Sequence, residues 1–235
     1  MYRRSAQLYD RLYAFKDYDA AVARLEAFVR ARRPGAHTLL DVACGTGRHL
    51  ALLAGRFDVE GLDLNPELLG MARERLPDVP LHEGDMTSFD LERSFDVVTC
   101  LFSSIAYVRT VERMRAAVAT MARHLAPGGV LLVEPWFSAE TYWTGRVTTN
   151  FVDDPDLKVA WMYLSERQGD LSIHDIHYLV GSAAGVETFR ERHELGLFSP
   201  TDYERAMTDA GLTHEWDAHG FFGRGLHAGT APRPA

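Results

Sequence analysis

Asp41, Gly45, Gly47, Asp63 and Asp85 have the types and spacing to hold a nucleotide. In Leu39-Leu40-Asp41-Val42-Ala43-Cys44-Gly45-Thr46-Gly47 an apolar run enters a two-glycine turn, and glycine lets backbone N–H groups approach a ligand where a helix begins. Asp63 ends the next apolar run, "VEGLDL", where a carboxylate can accept both hydroxyl hydrogens of a ribose. Asp85 ends a third, in "HEGDM", in reach of an adenine amino group. The glycine turn alone is a weak signal. A dinucleotide fingerprint would have glycine at position 50, which is Leu50 here, and no Gly-Lys-Ser/Thr follows to make a P-loop. An NAD-dependent or non-catalytic nucleotide-binding protein is disfavoured on that ground.

These acids must be carried by strands. "HTLLDVA", "FDVEGLDL", "VPLHEGD", "FDVVTCLFS" and "GGVLLVEPW" read as short, nearly continuous apolar strands, the pattern of a parallel sheet covered on both faces. A first helix stops at Pro34-Gly35, and helical segments are predicted at 47–54, 66–76 and 111–125. Strict alternation predicts an α/β, doubly wound, Rossmann-like and mostly parallel sheet, with ligands outside the carboxyl ends of the strands. After Trp136 the text becomes aromatic and β-rich, with turn signals at Asp153-Asp154-Pro155, Gln168-Gly169-Asp170 and Gly181-Ser182. This is read as an antiparallel β insertion, 136–197, lying as a lid over the site. A helix at 200–210 and strands near 213–219 and 224–230 complete the sheet. The expected organisation is one domain, 1–235, with an N-terminal helical cap at 1–36.

Composition narrows the partners. The chain has 235 residues, 46% of them hydrophobic, enough for a sizeable core. Its formal net charge of −8 argues against nucleic acid and membrane surfaces as partners and favours a small molecule. Two cysteines make neither a disulfide framework nor a metal cluster, and no apolar leader is seen at the N-terminus, so a reducing, cytoplasmic location is expected. No metal is expected either: His174 and His177 fall on opposite strand faces, with no third ligand.

Acid-x-x-Cys-Gly-Thr-Gly, the acid closing strand two, Gly-Asp-Met closing strand three and "HLAPGGVLLVE" together resemble class I S-adenosylmethionine-dependent methyltransferases. "LYDRLYAFKDY", "LFSSIAYV", "VEPWF" and "GRGL" extend the similarity to the dTDP-amino-sugar N,N-dimethyltransferases of macrolide deoxysugar pathways, over most of the chain. The resemblance implies S-adenosyl-L-methionine as cofactor and a nucleotide-linked amino deoxysugar as acceptor, methylated twice on its nitrogen. Carried over, it puts Tyr13, Lys16, Asp41, Ala43, Gly45, Asp63, Leu64, Asp85, Met86 and Ser103 on the cofactor. Ser104, Trp136, Tyr142, Tyr178 and Arg224 go to the acceptor, Arg224 facing the pyrophosphate. Tyr13 and His124 match positions of general-base duty, and a homodimer is compatible with the pattern.

Other readings stand beside these. Asp41 can serve only to shape the glycine turn. Cys44 reads as a small buried filler, because no partner base accompanies it. Met86 is core or pocket wall. His124 ends a helix, where an imidazolium suits the dipole. Trp136, Phe137, Tyr142 and Trp143 serve equally as hairpin core or aromatic wall, and Arg224 as a surface arginine. Another small amine or hydroxyl acceptor remains the alternative substrate. Methyl transfer to an amine asks mainly for alignment and dryness, so positioning is expected to outweigh a dedicated base.

Overall fold

The computed structural model describes residues 4–233. A short 3-10 turn, Ala6–Leu8, and one turn of helix, α1 (Tyr9–Leu12), precede α2 (Tyr18–Arg32). Strands β1 (Thr38–Val42), β2 (Asp58–Asp63), β3 (Leu81–Glu83), β4 (Phe95–Cys100) and β5 (Leu125–Val133) then alternate with helices α3 (Arg48–Leu53), α4 (Pro66–Arg75) and α5 (Val111–Arg123). After an aromatic stretch come β6 (Val147–Asp153), β7 (Leu157–Leu164), β8 (Glu166–Gln168), β9 (Leu171–Ser182) and β10 (Gly185–Gly196). Helix α6 (Pro200–Asp209) and strands β11 (Thr213–Asp217) and β12 (Leu226–Thr230) end the fold.

The main sheet has the order β11-β12-β5-β4-β1-β2-β3. Neighbours from β5 to β3 pair in parallel, and β12 lies antiparallel between β5 and β11. This is the mostly parallel, doubly wound sheet that the apolar runs predict. Chain order reverses between β1 and β4, so the loops leaving their carboxyl ends diverge and open a crevice. Leu39, Val97 and Leu132 pack with α2, α3 and α4 on one face. Leu40, Val98 and Leu131 pack with α5 and α6 on the other. Both faces are dry, which is why these strands carry no polar alternation.

The second sheet is antiparallel, β10-β9-β7-β6, with β8 paired to β9. Its strands do alternate. Ser172, His174, Ile176, Tyr178 and Val180 of β9 point inward, whereas His177 and Leu179 are exposed. The N-terminal residues divide between the two sheets rather than forming one cap. Leu8 and Leu12 pack on Val159, Trp161, Ile176, Tyr178 and Val180 of the second sheet, whereas Val22, Leu25 and Val29 of α2 pack on the first.

Some boundaries move for tertiary reasons. The helix predicted through 125 ends at Arg123, because His124 O accepts from Phe95 N at 2.8 Å and Leu125 already pairs with Phe95. A bulge between Phe95 and Val97 absorbs Pro127, which cannot donate to a ladder. The strand predicted over "VPLHEGD" shrinks to Leu81–Glu83 at the sheet edge. No described helix is long and apolar enough to cross a membrane.

Helices α2, α4, α5 and α6 are capped by the side chains of Asp17, Asn65, Thr110 and Ser199, the last in a reciprocal box with Asp202. Ser199→Ala should lower the unfolding free energy by about 0.5–2 kcal/mol, read from urea denaturation monitored by circular dichroism.

Candidate active site

Helix α3 has no side-chain cap. Its first residue follows Gly47 in the left-handed region (φ 73°), where an added Cβ would meet the Ala72 and Leu76 side chains at 3.2 Å. Ala43 before it, and Phe102 and Ser103 after β4, are also left-handed (φ 63°, 58° and 61°) although none is glycine. Each such residue costs about 1–3 kcal/mol, and such strain gathers at functional sites. Acids hold these turns. Asp63 Oδ2 accepts from Gly45 N and its Oδ1 from Asn65 N, both at 2.8 Å, and Glu134 Oε2 accepts from Phe102 N at 2.7 Å.

Three carboxylates therefore end β1, β2 and β5 along one edge, and all are buried: Asp41 is 2% exposed, Asp63 5% and Glu134 2%. Thr99 Oγ1 donates to Asp41 Oδ1 at 2.7 Å. Burial nevertheless pushes the Asp41 pKa up to about 7, with Asp63 and Glu134 adding to the rise. Burial also raises Asp63 and Glu134, against the backbone N–H groups that hold them. Glu134 Oε1 is buried without a hydrogen-bond partner. An edge with this much uncompensated acid fits a ligand that brings hydroxyl donors and positive charge. Cys44 lies in the same turn, but burial, Asp41 and Asp63 all raise its thiol pKa, which suits a filler.

The crevice holds two adjacent spaces. The first runs along Ala43, Gly45, Asp63, Leu64, Asp85, Met86, Ser104 and Tyr107, and continues beside Asp41, Thr46, Arg48 and His49. The second, a chamber of about 1150 Å³, lies between the sheets. Its walls include Tyr13, Phe102, Ser103, Trp136, Asn150, Trp161, Tyr163, His174, His193 and Arg224. Tyr107 and Phe102 line both the first space and the chamber.

The structure moves several predicted residues. Tyr13 and Lys16 line the chamber and not the glycine-turn space; Lys16 Nζ lies 4.1 Å over the Phe102 ring, and burial followed by Arg224 lowers its pKa to about 8. Ser103 also faces the chamber, its Oγ donating to Pro135 O at 2.7 Å, whereas Ser104 faces the glycine-turn space. Asp85 Oδ1 accepts from Thr87 and its Oδ2 from Arg113 at 2.8 Å. Arg224 is no surface arginine: its guanidinium lies 4.4 Å over Trp136 and donates to Ser103 Oγ at 3.2 Å. Gly225 beside it is obligatory, since a Cβ there would fall 1.9 Å from Trp216.

Three predicted residues lie outside the site. His124 sits at the amino ends of β4 and β5, a strand length away, about 17 Å at 3.3 Å per residue. Its ring is locked there, Nδ1 donating to Thr120 O and Nε2 accepting from Leu91 N. Tyr178 points inward but is covered by Leu8, Leu12 and Phe189. Tyr142 stands behind the wall, its hydroxyl 3.2 Å from His174 Nε2. Sequence reasoning missed Tyr9, Asp10, Arg48, Tyr107 and Arg113. Asp10 accepts from Thr46 Oγ1 and pairs with Arg75, so α1 clasps the glycine turn. No motif marks such a contact; only the quoted "LYDRLYAF" and "LFSSIAYV" contain its parts. Among the described residues no cluster of His, Cys, Asp and Glu is arranged to hold a metal.

Because the folded pKa of Asp41 exceeds the ordinary carboxyl value, its contribution to stability is complete below about pH 4 and is lost as pH rises to about 7. Asp41→Asn should therefore melt at a higher temperature than the ligand-free parent at pH 8, the gap closing toward pH 4 in calorimetric scans.

Comparison with known proteins agrees with this geometry. A methyltransferase-domain family matches residues 39–129. The chain is 43% identical over 228 residues to the dTDP-3-amino-3,4,6-trideoxy-alpha-D-glucopyranose N,N-dimethyltransferase of Streptomyces venezuelae, covering 95% of this chain and 96% of that one. It is 38% identical to the dTDP-4-amino-2,3,4,6-tetradeoxy-D-glucose N,N-dimethyltransferase of Saccharopolyspora spinosa, over 95% and 91% of the two chains. The crystal structure of Streptomyces venezuelae DesVI superposes with a TM-score of 0.93 at 42% identity, over 99% and 100% of the chains. The structure of SAM-bound CalS10, an amino pentose methyltransferase of calicheamicin biosynthesis from Micromonospora echinaspora, gives 0.88 at 42% identity, over 98% and 97%. The chain belongs to the family of sugar N,N-dimethyltransferases, enzymes that use S-adenosylmethionine on a class I methyltransferase fold.

Proposed function

We propose that this enzyme methylates, twice, the amino nitrogen of a dTDP-linked amino deoxysugar made for an antibiotic. The observation that carries the reading is the chamber beside the glycine turn: it is large, walled by Phe102, Trp136, Trp161 and Tyr163, and bears Lys16 and Arg224 in a chain of net charge −8. A nucleotide sugar brings phosphate charge that such a chain repels everywhere except where local cations reverse the field. The guanidinium of Arg224, braced by Ser103 and Trp136, presents a fixed fork to a pyrophosphate. Turnover of a panel of dTDP-amino sugars, read as a mass gain of one and then two methyl groups, tests the reading. Failure with every member, alongside methylation of an unrelated amine, would overturn it.

The residues at the glycine turn fit S-adenosylmethionine, which supplies an activated methyl group on its sulfonium. In this reading Asp63 takes the ribose hydroxyls, Asp85 and Met86 the adenine, and Ala43 and Gly45 the methionyl part through backbone groups. Asp41 and Glu134 offset its positive charges. Leu64 and Ser104 line the same cofactor space. The chain's own work is to align the amine with the methyl carbon and to exclude water, and alignment can remove about 7–11 kcal/mol of barrier. Tyr13 and Ser103 serve from the chamber wall. The insertion 136–197, which carries the second sheet, acts as a lid on one domain. A homodimer joined through its outer face, where Val147, Phe151, Met162, Leu164 and Leu179 are exposed, and a cytoplasmic location complete the proposal.

Asp63→Ala should weaken S-adenosylmethionine binding by about 1.5–3 kcal/mol in calorimetry, the range for hydrogen bonds to a charged group. Unchanged affinity in a folded variant would remove Asp63 from the cofactor site. Arg224→Lys retains charge but loses the fork, so it should raise the KM for the sugar nucleotide with little effect on cofactor affinity. Arg224→Ala should cost about 1.5–3 kcal/mol of binding, seen as weaker competition by dTDP.

A further inference from the structure

The amine must reach the methyl group uncharged, and after the transfer its nitrogen carries a proton that has to leave before a second methyl can be accepted. A water-excluding chamber needs a path for that proton. Tyr107 stands at the junction of the cofactor space and the chamber, and its hydroxyl lies 2.9 Å from Nδ1 of His193. His193, on the inward face of β10, is 3% exposed. Its other nitrogen, Nε2, lies 3.7 Å from Glu191 Oε2. Glu191 is itself positioned: Ser5 donates to it from both its backbone N, at 3.0 Å, and its hydroxyl. A carboxylate beside Nε2 draws the ring proton there and leaves Nδ1 to accept from Tyr107.

We propose that Tyr107 and His193 form a relay that takes the proton from the acceptor nitrogen, with Glu191 setting the tautomer of the imidazole. The inference rests on the reading of the chamber as the amine site. In the transfer the nitrogen lone pair forms the new N–C bond while the C–S bond breaks and its electron pair stays on sulfur. The N–H proton passes to the Tyr107 oxygen as the Tyr107 proton passes to His193 Nδ1. The imidazolium so formed keeps its Nε2 proton toward Glu191 and loses the other to solvent when the chamber opens. Tyr107 touches the substrate; His193 and Glu191 act through it.

The groups facing His193 are Tyr107 from the turn after β4, His174 across the pair of strands, Glu191 on its own strand, and Arg224 beyond His174. His174 is a poor second acceptor, since its Nε2 faces the Tyr142 hydroxyl and burial, followed by His193 and Arg224, lowers its pKa to about 4. A purely structural role for the Tyr107–His193 bond, tying the second sheet to the first, is the competing account, and pH separates the two. His193→Gln keeps an acceptor for Tyr107 but cannot take the proton; Tyr107→Phe removes the first carrier.

With dTDP-3-amino-3,6-dideoxy-glucose as acceptor, both variants should lose about tenfold to a hundredfold in kcat at pH 7, at the lower end of proton-transfer effects. The KM for the amine and the cofactor Kd should stay within about threefold, and the deficit should close near pH 9, where hydroxide and solvent take the proton from the methylated nitrogen without the relay. A deficit of equal size at every pH, or wild-type kcat at pH 7, overturns the relay. Nitrogen NMR of the His193 ring in the wild type needs no acceptor, so it remains decisive even if the sugar assignment fails: a proton on Nε2 is expected, and one on Nδ1 overturns the proposal.

Discussion

Buried acid along one edge of the main sheet governs the rest of the structure. Asp41, Asp63 and Glu134 end three strands of a dry sheet, where burial raises the cost of ionising each, and Asp63 and Glu134 raise that of Asp41 further. Removing such groups from water is expensive unless hydrogen bonds and opposite charge compensate. Part of the compensation is internal. Backbone N–H groups of the glycine turn and of Phe102 bind the carboxylates, and in doing so they hold the left-handed residues Phe102 and Gly45 in place. On the chamber side the cations Lys16 and Arg224 favour the ionised form of Glu134. Acid that would weaken an ordinary core here shapes the turns.

Closure comes from outside the main sheet. The second sheet contributes an inward face of Trp161, Tyr163, His174 and His193, and the N-terminal residues bridge it to the glycine turn. Leu8 and Leu12 bury against β7 and β9, Asn150 Nδ2 donates to Leu12 O at 2.7 Å, and Asp10 clasps Thr46 and Arg75. Dispersion contacts supply adhesion and the polar contacts supply register. These contacts hold the polar groups of the chamber wall oriented, a condition under which alignment lowers a barrier.

The parallel core was legible because period and composition are local: strands buried on both faces read as unbroken apolar runs, and glycines and acids at their ends mark where ligands meet the sheet. The alternation of β9 likewise separated His174 from His177. Assigning residues to particular spaces was harder. Tyr13 and Lys16 went to the cofactor by resemblance, yet the chain after α1 turns them into the chamber. His124 was carried over on similarity alone, and its place depends on which end of β5 it precedes. Asp10, Tyr107 and Glu191 bear no motif, because their partners Thr46, His193 and Ser5 lie far along the chain.

The sequence by itself determined the layered α/β fold and the acids at the strand ends, since each follows from short-range pattern and from residue chemistry that any parallel sheet must place at its carboxyl edge, whereas the cofactor class came from resemblance of the motifs to a known family. Only the tertiary structure decided which side chains share a cavity, that Arg224 is braced against Trp136 and Ser103, and that Tyr107 meets His193. Those contacts depend on how the second sheet and the N-terminal turn dock on the first, and docking is fixed by the fit of whole surfaces rather than by the spacing of residues along one strand.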